Sequence, residues 1–392
     1  MKKIYLKRGK EESLRRFHPW VFSGAIHHTE GELNEGDIVE VYTAEGELIA
    51  VGHWQIGSIA VRVLTFEGEA IDDDFWTNKI QQAYNTRLAI GVADNPNNNT
   101  YRLVHGEGDN LPGLVVDVYG ETAVMQAHSV GMHVCREEVA KALKAVLGDG
   151  LKNIFYKSET TLPFKAALGQ ENGFLLGNGT DNVAVENGLK FHIDWLKGQK
   201  TGFFVDQRDN RSLLEHYSKG RSVLNMFCYT GGFSVYAMRG GAKLVHSVDS
   251  SAKAVDLVNA NIELNFPGDE RHEAYAADAF KYLDEMGDNY DLIILDPPAF
   301  AKHKDALRHA LKGYIKINQK AFEKIQPGGI LFTFSCSQAV NKDDFRRAVF
   351  TAAAIANRRV RILHQLHQPA DHPINIYHPE GEYLKGLVLY VE

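Results

Sequence analysis

From Ser222 to Ala356 the chain alternates strand-like and helix-like segments. The strands read Ser222 to Met226, Leu244 to Val248, Leu292 to Leu295 and Ile330 to Phe334. The helices between and after them read Phe233 to Arg239, Ala252 to Leu264, Leu307 to Ile325 and Asp343 to Ala356. Consecutive strands separated by a helix cannot form hairpins, so this alternation predicts a parallel, doubly wound α/β sheet. Leu292-Ile293-Ile294-Leu295 is apolar on both faces, as a buried parallel strand must be. It delivers Asp296 into Pro297-Pro298, which cannot donate to a ladder and end the strand. Open α/β sheets bind ligands at that carboxyl edge.

Upstream, Gly36 begins a run of short alternating strands: Ile38 to Tyr42, Leu48 to Gly52 and Ile59 to Leu64. A helix opens at Asp72-Asp73-Asp74 with apolar positions Phe75, Trp76, Ile80, Tyr84 and Leu88. Next come a hairpin about Gly120-Glu121, a helix from about Met132 to Leu147, a strand Asn153 to Lys157, and a hairpin turning on Asn187-Gly188, a type I′ pair. These changes of texture predict three domains: β-rich 1–71, α+β 72–186, and the doubly wound 187–392.

The first strand of the sheet runs into Asn225-Met226-Phe227-Cys228-Tyr229-Thr230-Gly231-Gly232-Phe233, with glycines where the chain must turn tightly into a helix. The spacing is not GxGxxG, so the loop suits a nucleoside with an amino-acid tail better than a pyrophosphate. Asp249-Ser250 closes the second strand where a ribose-binding carboxylate belongs, and Asp278-Ala279 ends the third unit, placed to meet an adenine amine. Each feature alone could be a tight turn or a helix cap. Together, in order on consecutive strand ends, they read as an S-adenosylmethionine site comprising Asn225, Phe227, Thr230, Gly231, Asp249, Ser250, Asp278, Ala279 and Asp296. Pro297, Pro298 and Phe300 beside it would form an edge-reading pocket, with Phe300 able to stack on a flipped-out base.

Four stretches carry a family resemblance: Gly198-Gln199-Lys200-Thr201-Gly202-Phe203-Phe204-Val205-Asp206-Gln207-Arg208-Asp209-Asn210-Arg211, the Asn225 to Phe233 loop, Asp296-Pro297-Pro298-Ala299-Phe300, and Ser335-Cys336-Ser337. They resemble the class I methyltransferases that make 5-methylcytosine in bacterial large-subunit ribosomal RNA, and the resemblance covers the whole chain. It implies a PUA RNA-binding domain first, a small α+β domain second and a Rossmann-like catalytic domain last. Lys7-Arg8 and His18-Pro19-Trp20 support the PUA assignment, with Lys7 and Arg8 expected on the RNA. It further implies that Gln199, Phe203, Asp206 and Arg208 help hold the cofactor, and that the partner is ribosomal RNA.

Carbon 5 of cytosine is a poor nucleophile, so a thiolate must first add to carbon 6. Cys336, just past a strand end on the same rim as Asp296, is the expected nucleophile; Asp296 would stabilise charge developing on the ring. Many RNA cytosine-5 methyltransferases carry a second cysteine where this chain has Ala299, which leaves the base that releases product open. Cys135 and Cys228 read as packed thiols. His364, His367, His372 and His378 fit no familiar ligand spacing and are interrupted by prolines, so no metal is expected.

The three cysteines lack CxxC spacing, no membrane-spanning run is present, and no apolar core follows the basic first residues, all of which fit a cytoplasmic protein. A net charge of −7 argues against indiscriminate nucleic-acid coating, though the basic N-terminal segment is a local exception. Three alternatives stand. Asp-Pro-Pro followed by an aromatic also serves enzymes that methylate an exocyclic amine, such as N2 of guanine, which need no cysteine. A noncatalytic RNA-binding assembly factor would not need the full cofactor set. A nicotinamide dehydrogenase would need a phosphate loop that this chain lacks. Oligomeric state is not readable from the sequence.

Overall fold

A computed structural model describes residues 2–163, 168–169, 171–287, 289–301 and 304–392. The chain divides into two compact units: residues 1–185, 193–205 and 370–381 form one, and 186–192, 206–369 and 382–392 the other.

The first unit holds two sheets. In the six-stranded sheet, strands between Lys2 and Thr65 enclose a core of Ile4, Leu6, Val39, Val41 and Val61. A five-stranded sheet runs from Thr100 to Leu176, covered by the helices Asp73–Ala89 and Arg136–Leu147. Asp72 caps the first of these, accepting the Phe75 amide at 2.9 Å, as the acidic cluster predicts. The helix expected from Met132 to Leu147 is two pieces, Val130–Val134 and Arg136–Leu147, because Cys135 (φ −91°, ψ 19°) leaves helical geometry. Two remote segments cluster with this unit. Thr201 Oγ1 donates to Asp117 Oδ2 at 2.6 Å, and Asn375 Nδ2 donates to the Glu107 carbonyl at 3.3 Å.

The second unit is the doubly wound sheet. Its strands are β1 (Ser222–Met226), β2 (Leu244–Asp249), β3 (His272–Ala276), β4 (Leu292–Leu295), β5 (Gly329–Ser335), β6 (Val360–His367) and β7 (Lys385–Val391), in spatial order 3-2-1-4-5-7-6. Strands β1 to β5 pair in parallel, while β7 runs antiparallel between β5 and β6. Every residue of β4 is fully buried, as its apolar run requires. The order reverses at β1, flanked by β2 and β4, so a crevice opens at their carboxyl ends. Helices α1 (Arg208–Tyr217), α2 (Gly232–Arg239), α3 (Ala252–Asn265), α4 (Ala279–Glu285), α5 (Leu307–Lys324) and α6 (Lys342–Ile355) complete the unit. Beneath α1, Glu186 is wholly buried and receives Arg211 through two bonds (2.9 and 2.7 Å) and the Tyr236 hydroxyl at 2.9 Å. A buried carboxylate needs this degree of pairing.

Candidate active site

The loop after β1 is held in uncommon backbone geometry. Phe227, Tyr229 and Gly231 have φ of 59°, 45° and 76°, and two of these are not glycine. Asp249, the last residue of β2, pins the loop: its Oδ2 accepts the Tyr229 amide at 3.0 Å and its Oδ1 accepts the Ser251 amide at 3.0 Å. Asn261 of α3 donates to the Thr230 carbonyl at 2.8 Å. A Cβ on Gly231 would lie 2.8 Å from Val258, so only glycine lets loop and helix come this close. Asn225 donates to Ser234 at 2.9 Å, while its Oδ1 is buried without a hydrogen-bond partner. Asp278 is exposed and caps α4 by accepting the Lys281 amide at 2.9 Å; Ala279 beside it is buried and Ser250 is exposed. The predicted loop and strand-end residues thus share the carboxyl edge of three adjacent strands.

The long signature is divided. Gln199 (exposed) and Phe203 (buried, its carbonyl accepting Tyr119 Oη at 3.3 Å) belong to the first unit. Asp206 and Arg208 belong to the second, where Asp206 Oδ2 accepts the Tyr383 hydroxyl at 2.7 Å and Arg208 lies 3.7 Å from Glu186.

Asp296 and Cys336 stand just past the ends of neighbouring parallel strands, β4 and β5. Asp296 Oδ2 accepts the Gln207 side-chain amide at 3.1 Å, and Gln207 is itself fixed by Asn210 at 2.6 Å. Cys336 is half-exposed and lines a cavity of about 270 Å³ with Ala299, Ala301, Gln338 and Tyr383. Both flanking serines face inward. Ser335 donates to Tyr314 Oη at 2.8 Å and Ser337 donates to the Ala301 carbonyl at 2.5 Å, which leaves the thiol as the group presented to the cavity. The other cysteines are buried, and burial pushes Cys135 up to about 12 and Cys228 higher still.

Residues 173–378, more than half of the chain, match the family described as S-adenosylmethionine-dependent methyltransferases. The chain belongs to that family. Residues 4–66 of this methyltransferase match a PUA-like domain. Curated relatives named "Ribosomal RNA large subunit methyltransferase I" include one from Aeromonas hydrophila, 41% identical with 98% of both chains covered, and one from Aliivibrio fischeri, 40% identical with 99% of both covered. A solved methyltransferase complexed with SAH shares the fold over the full length of both chains, with a TM-score of 0.85 and 22% identity. S-Adenosylmethionine is therefore the methyl donor, and the unpartnered Asn225 oxygen and the Asp249 carboxylate suit such a nucleoside.

Of the expected substrate residues in this methyltransferase, Pro297 is buried and Pro298 exposed. Phe300 is half-buried, its ring packed 4.7 Å from that of Tyr314, so one side of the expected stacking ring is already engaged. Lys7 and Arg8 are exposed on the first unit; Lys7 donates to the Gly24 carbonyl at 2.9 Å and Arg8 lies 3.4 Å from Glu45. The four tail histidines go separate ways: His364 to Tyr217, His367 to the Gln368 carbonyl, His372 to Asp371. Among the described residues, His378 does converge with His18 and Glu380. Trp20 donates its amide to His18 Nδ1 at 3.3 Å, and His18 Nε2 faces Glu380 at 3.7 Å.

Sequence reasoning missed Gln207, Tyr383 and Lys385. Gln207 lies inside the quoted signature. Tyr383 and Lys385 lie in the C-terminal tail, outside the four stretches that carry the resemblance.

Proposed function

We propose that this methyltransferase forms 5-methylcytosine in large-subunit ribosomal RNA, with Cys336 as nucleophile. The names of full-length relatives support the RNA class. The observation that carries the chemistry is a thiol presented to a cavity that Ala299 also lines, just past one strand end, with a carboxyl group just past the end of the neighbouring strand.

The Cys336 thiolate forms a bond to carbon 6, and the carbon 5–carbon 6 π electrons move into the ring, making carbon 5 nucleophilic. Bound S-adenosylmethionine supplies an electrophilic methyl group to that carbon. Asp296, oriented by Gln207, shares a proton with ring N3 and stabilises the charge that addition creates. A base then removes the carbon 5 proton, the double bond re-forms and the thiolate leaves. Asn225, Phe227, Thr230, Gly231, Asp249, Ser250, Asp278 and Ala279 hold the cofactor, with Asp206 and Arg208 contributing from the signature. Pro297, Pro298 and Phe300 frame the base. Residues 1–71, with Lys7 and Arg8, bind RNA without taking part in the chemistry, residues 72–186 form a middle domain and 187–392 the catalytic one; binding energy from parts of a substrate that do not react can orient it for the pocket. The cytoplasm, where ribosomal RNA is found, is the working compartment.

RNA carrying 5-fluorocytidine tests this reading. Fluorine cannot leave as a proton does, so a covalent protein–RNA complex should accumulate after methyl transfer. Cys336→Ala should bind cofactor and RNA yet form neither adduct nor product. Robust turnover by folded Cys336→Ala, with the methyl group on nitrogen, would establish amine methylation instead.

A further inference from the structure

We infer that Lys385 is a positioning residue for Cys336: its ammonium clamps the turn that carries the thiol and holds that thiol as the thiolate. The inference rests on Cys336 being the nucleophile. A free cysteine is only a few per cent thiolate at neutral pH, so a nucleophilic cysteine needs a nearby cation or base.

Lys385 begins β7 and is the cross-strand partner of Ser335, the residue before Cys336. Its side chain is almost wholly buried, an uncommon fate for lysine. Nζ donates to the carbonyls of Ser337 and Val340, both at 2.6 Å. These two acceptors bracket the turn after Cys336, so one ammonium fixes its backbone. An ammonium has three N–H donors, and two are used here among the described residues. No carboxylate forms a salt bridge with Lys385 among the described residues; Glu382, three residues away, pairs with Lys342. The nearby groups that act on its charge are the Cys336 thiolate and Glu382, which favour the ammonium, and Lys342, which opposes it. Burial dominates and pushes Lys385 down to about 8, so it is still mostly charged at neutral pH.

A buried cation confined beside the only half-exposed thiol of the three cysteines is the arrangement that lowers a thiol's pKa. The pairing also accounts for the burial of a lysine at this strand start, where an apolar residue would pack without desolvation cost.

The test reads the thiol directly, without RNA or cofactor. Iodoacetamide alkylation of the intact protein, followed by peptide mass spectrometry at Cys336 across pH 5 to 10, gives its titration. Cys135 and Cys228, buried and protonated, serve as internal references. Lys385→Met should raise the half-titration point of Cys336 by about 1 to 3 pH units, the usual size for the loss of a nearby opposite charge. Lys385→Arg, which keeps the charge, should stay near the parent. An unchanged titration in Lys385→Met overturns the inference; so does an equal shift in both variants, which would mean that packing and not charge is responsible. Should Lys385→Met misfold, Lys385→Gln, which also removes the charge but keeps a donor for the two carbonyls, must show the same rise. Failure here would leave the 5-fluorocytidine adduct intact, whereas failure of the cytosine-5 reading would leave this titration intact.

Discussion

Gln207 holds Asp296. Its side-chain amide meets Oδ2 at 3.1 Å from the start of α1, and Asn210 fixes Gln207 from the other side. In the proposed reaction Asp296 shares a proton with a ring nitrogen, which requires its oxygens to be aimed, and this pair would aim them. Gln207→Met should therefore lower kcat about tenfold to a hundredfold, the worth of roughly 1.5 to 3 kcal/mol for a hydrogen bond to a charged group, with little change in KM for RNA. Single-turnover methylation measures this. An unaltered kcat would detach Gln207 from the chemistry.

Asp249 links the loop after β1 to the start of α3 through the Tyr229 and Ser251 amides. If it also accepts the ribose hydroxyls, Asp249→Ala should weaken S-adenosylmethionine binding by about 1.5 to 3 kcal/mol, and calorimetry on the folded variant would register it. Unchanged affinity would remove Asp249 from the site.

Gly131 lies against a ring that cannot retreat. A Cβ there would sit 2.1 Å from His53 Cγ, and His53 is buried and stacked on Trp76. Gly131→Ala should destabilise the first unit by about 1 to 3 kcal/mol through overpacking, while Gly150→Ala, with nothing within 4 Å, should be close to neutral. Urea melts of the two variants would separate them. Equal midpoints would show that His53 can move.

His53 also sets an acid limit. Burial pushes its pKa down to about 4 from 6.5, so the folded state binds fewer protons than the unfolded one between those values. Stability is then fully present above about pH 6.5 and falls progressively as pH drops toward 4, by about 3 kcal/mol at most. The urea midpoint should decline across that window, and less steeply in His53→Gln. Parallel declines would assign the loss to other groups.

Much of the catalytic sheet was legible because buried parallel strands are nearly pure apolar runs, as at Leu292–Leu295 and Gly329–Ser335. Strand β3, His272-Glu273-Ala274-Tyr275-Ala276, escaped notice because an edge strand faces water and carries polar residues. The break at Cys135 was invisible to periodicity, since the apolar spacing continues through it. Within the site, Asp296, Cys336 and the Asn225 to Gly231 loop could be found because each closes a recognisable strand. Lys385 and Tyr383 could not. They reach Cys336 only because β7 returns antiparallel beside β5, a pairing across some fifty residues that no local pattern encodes.

That returning strand has a consequence for synthesis. During translation β6 emerges before β7, yet in the finished sheet β6 lies at the edge and is hydrogen-bonded to β7. Until Lys385–Val391 slides between them, the inner side of β6 and the outer side of β5 are raw edges, and Tyr383 has not yet closed the cavity beside Cys336. A nascent or truncated chain lacking β7 therefore offers two unpaired strand edges to other chains at the same moment that the wall beside Cys336 is missing.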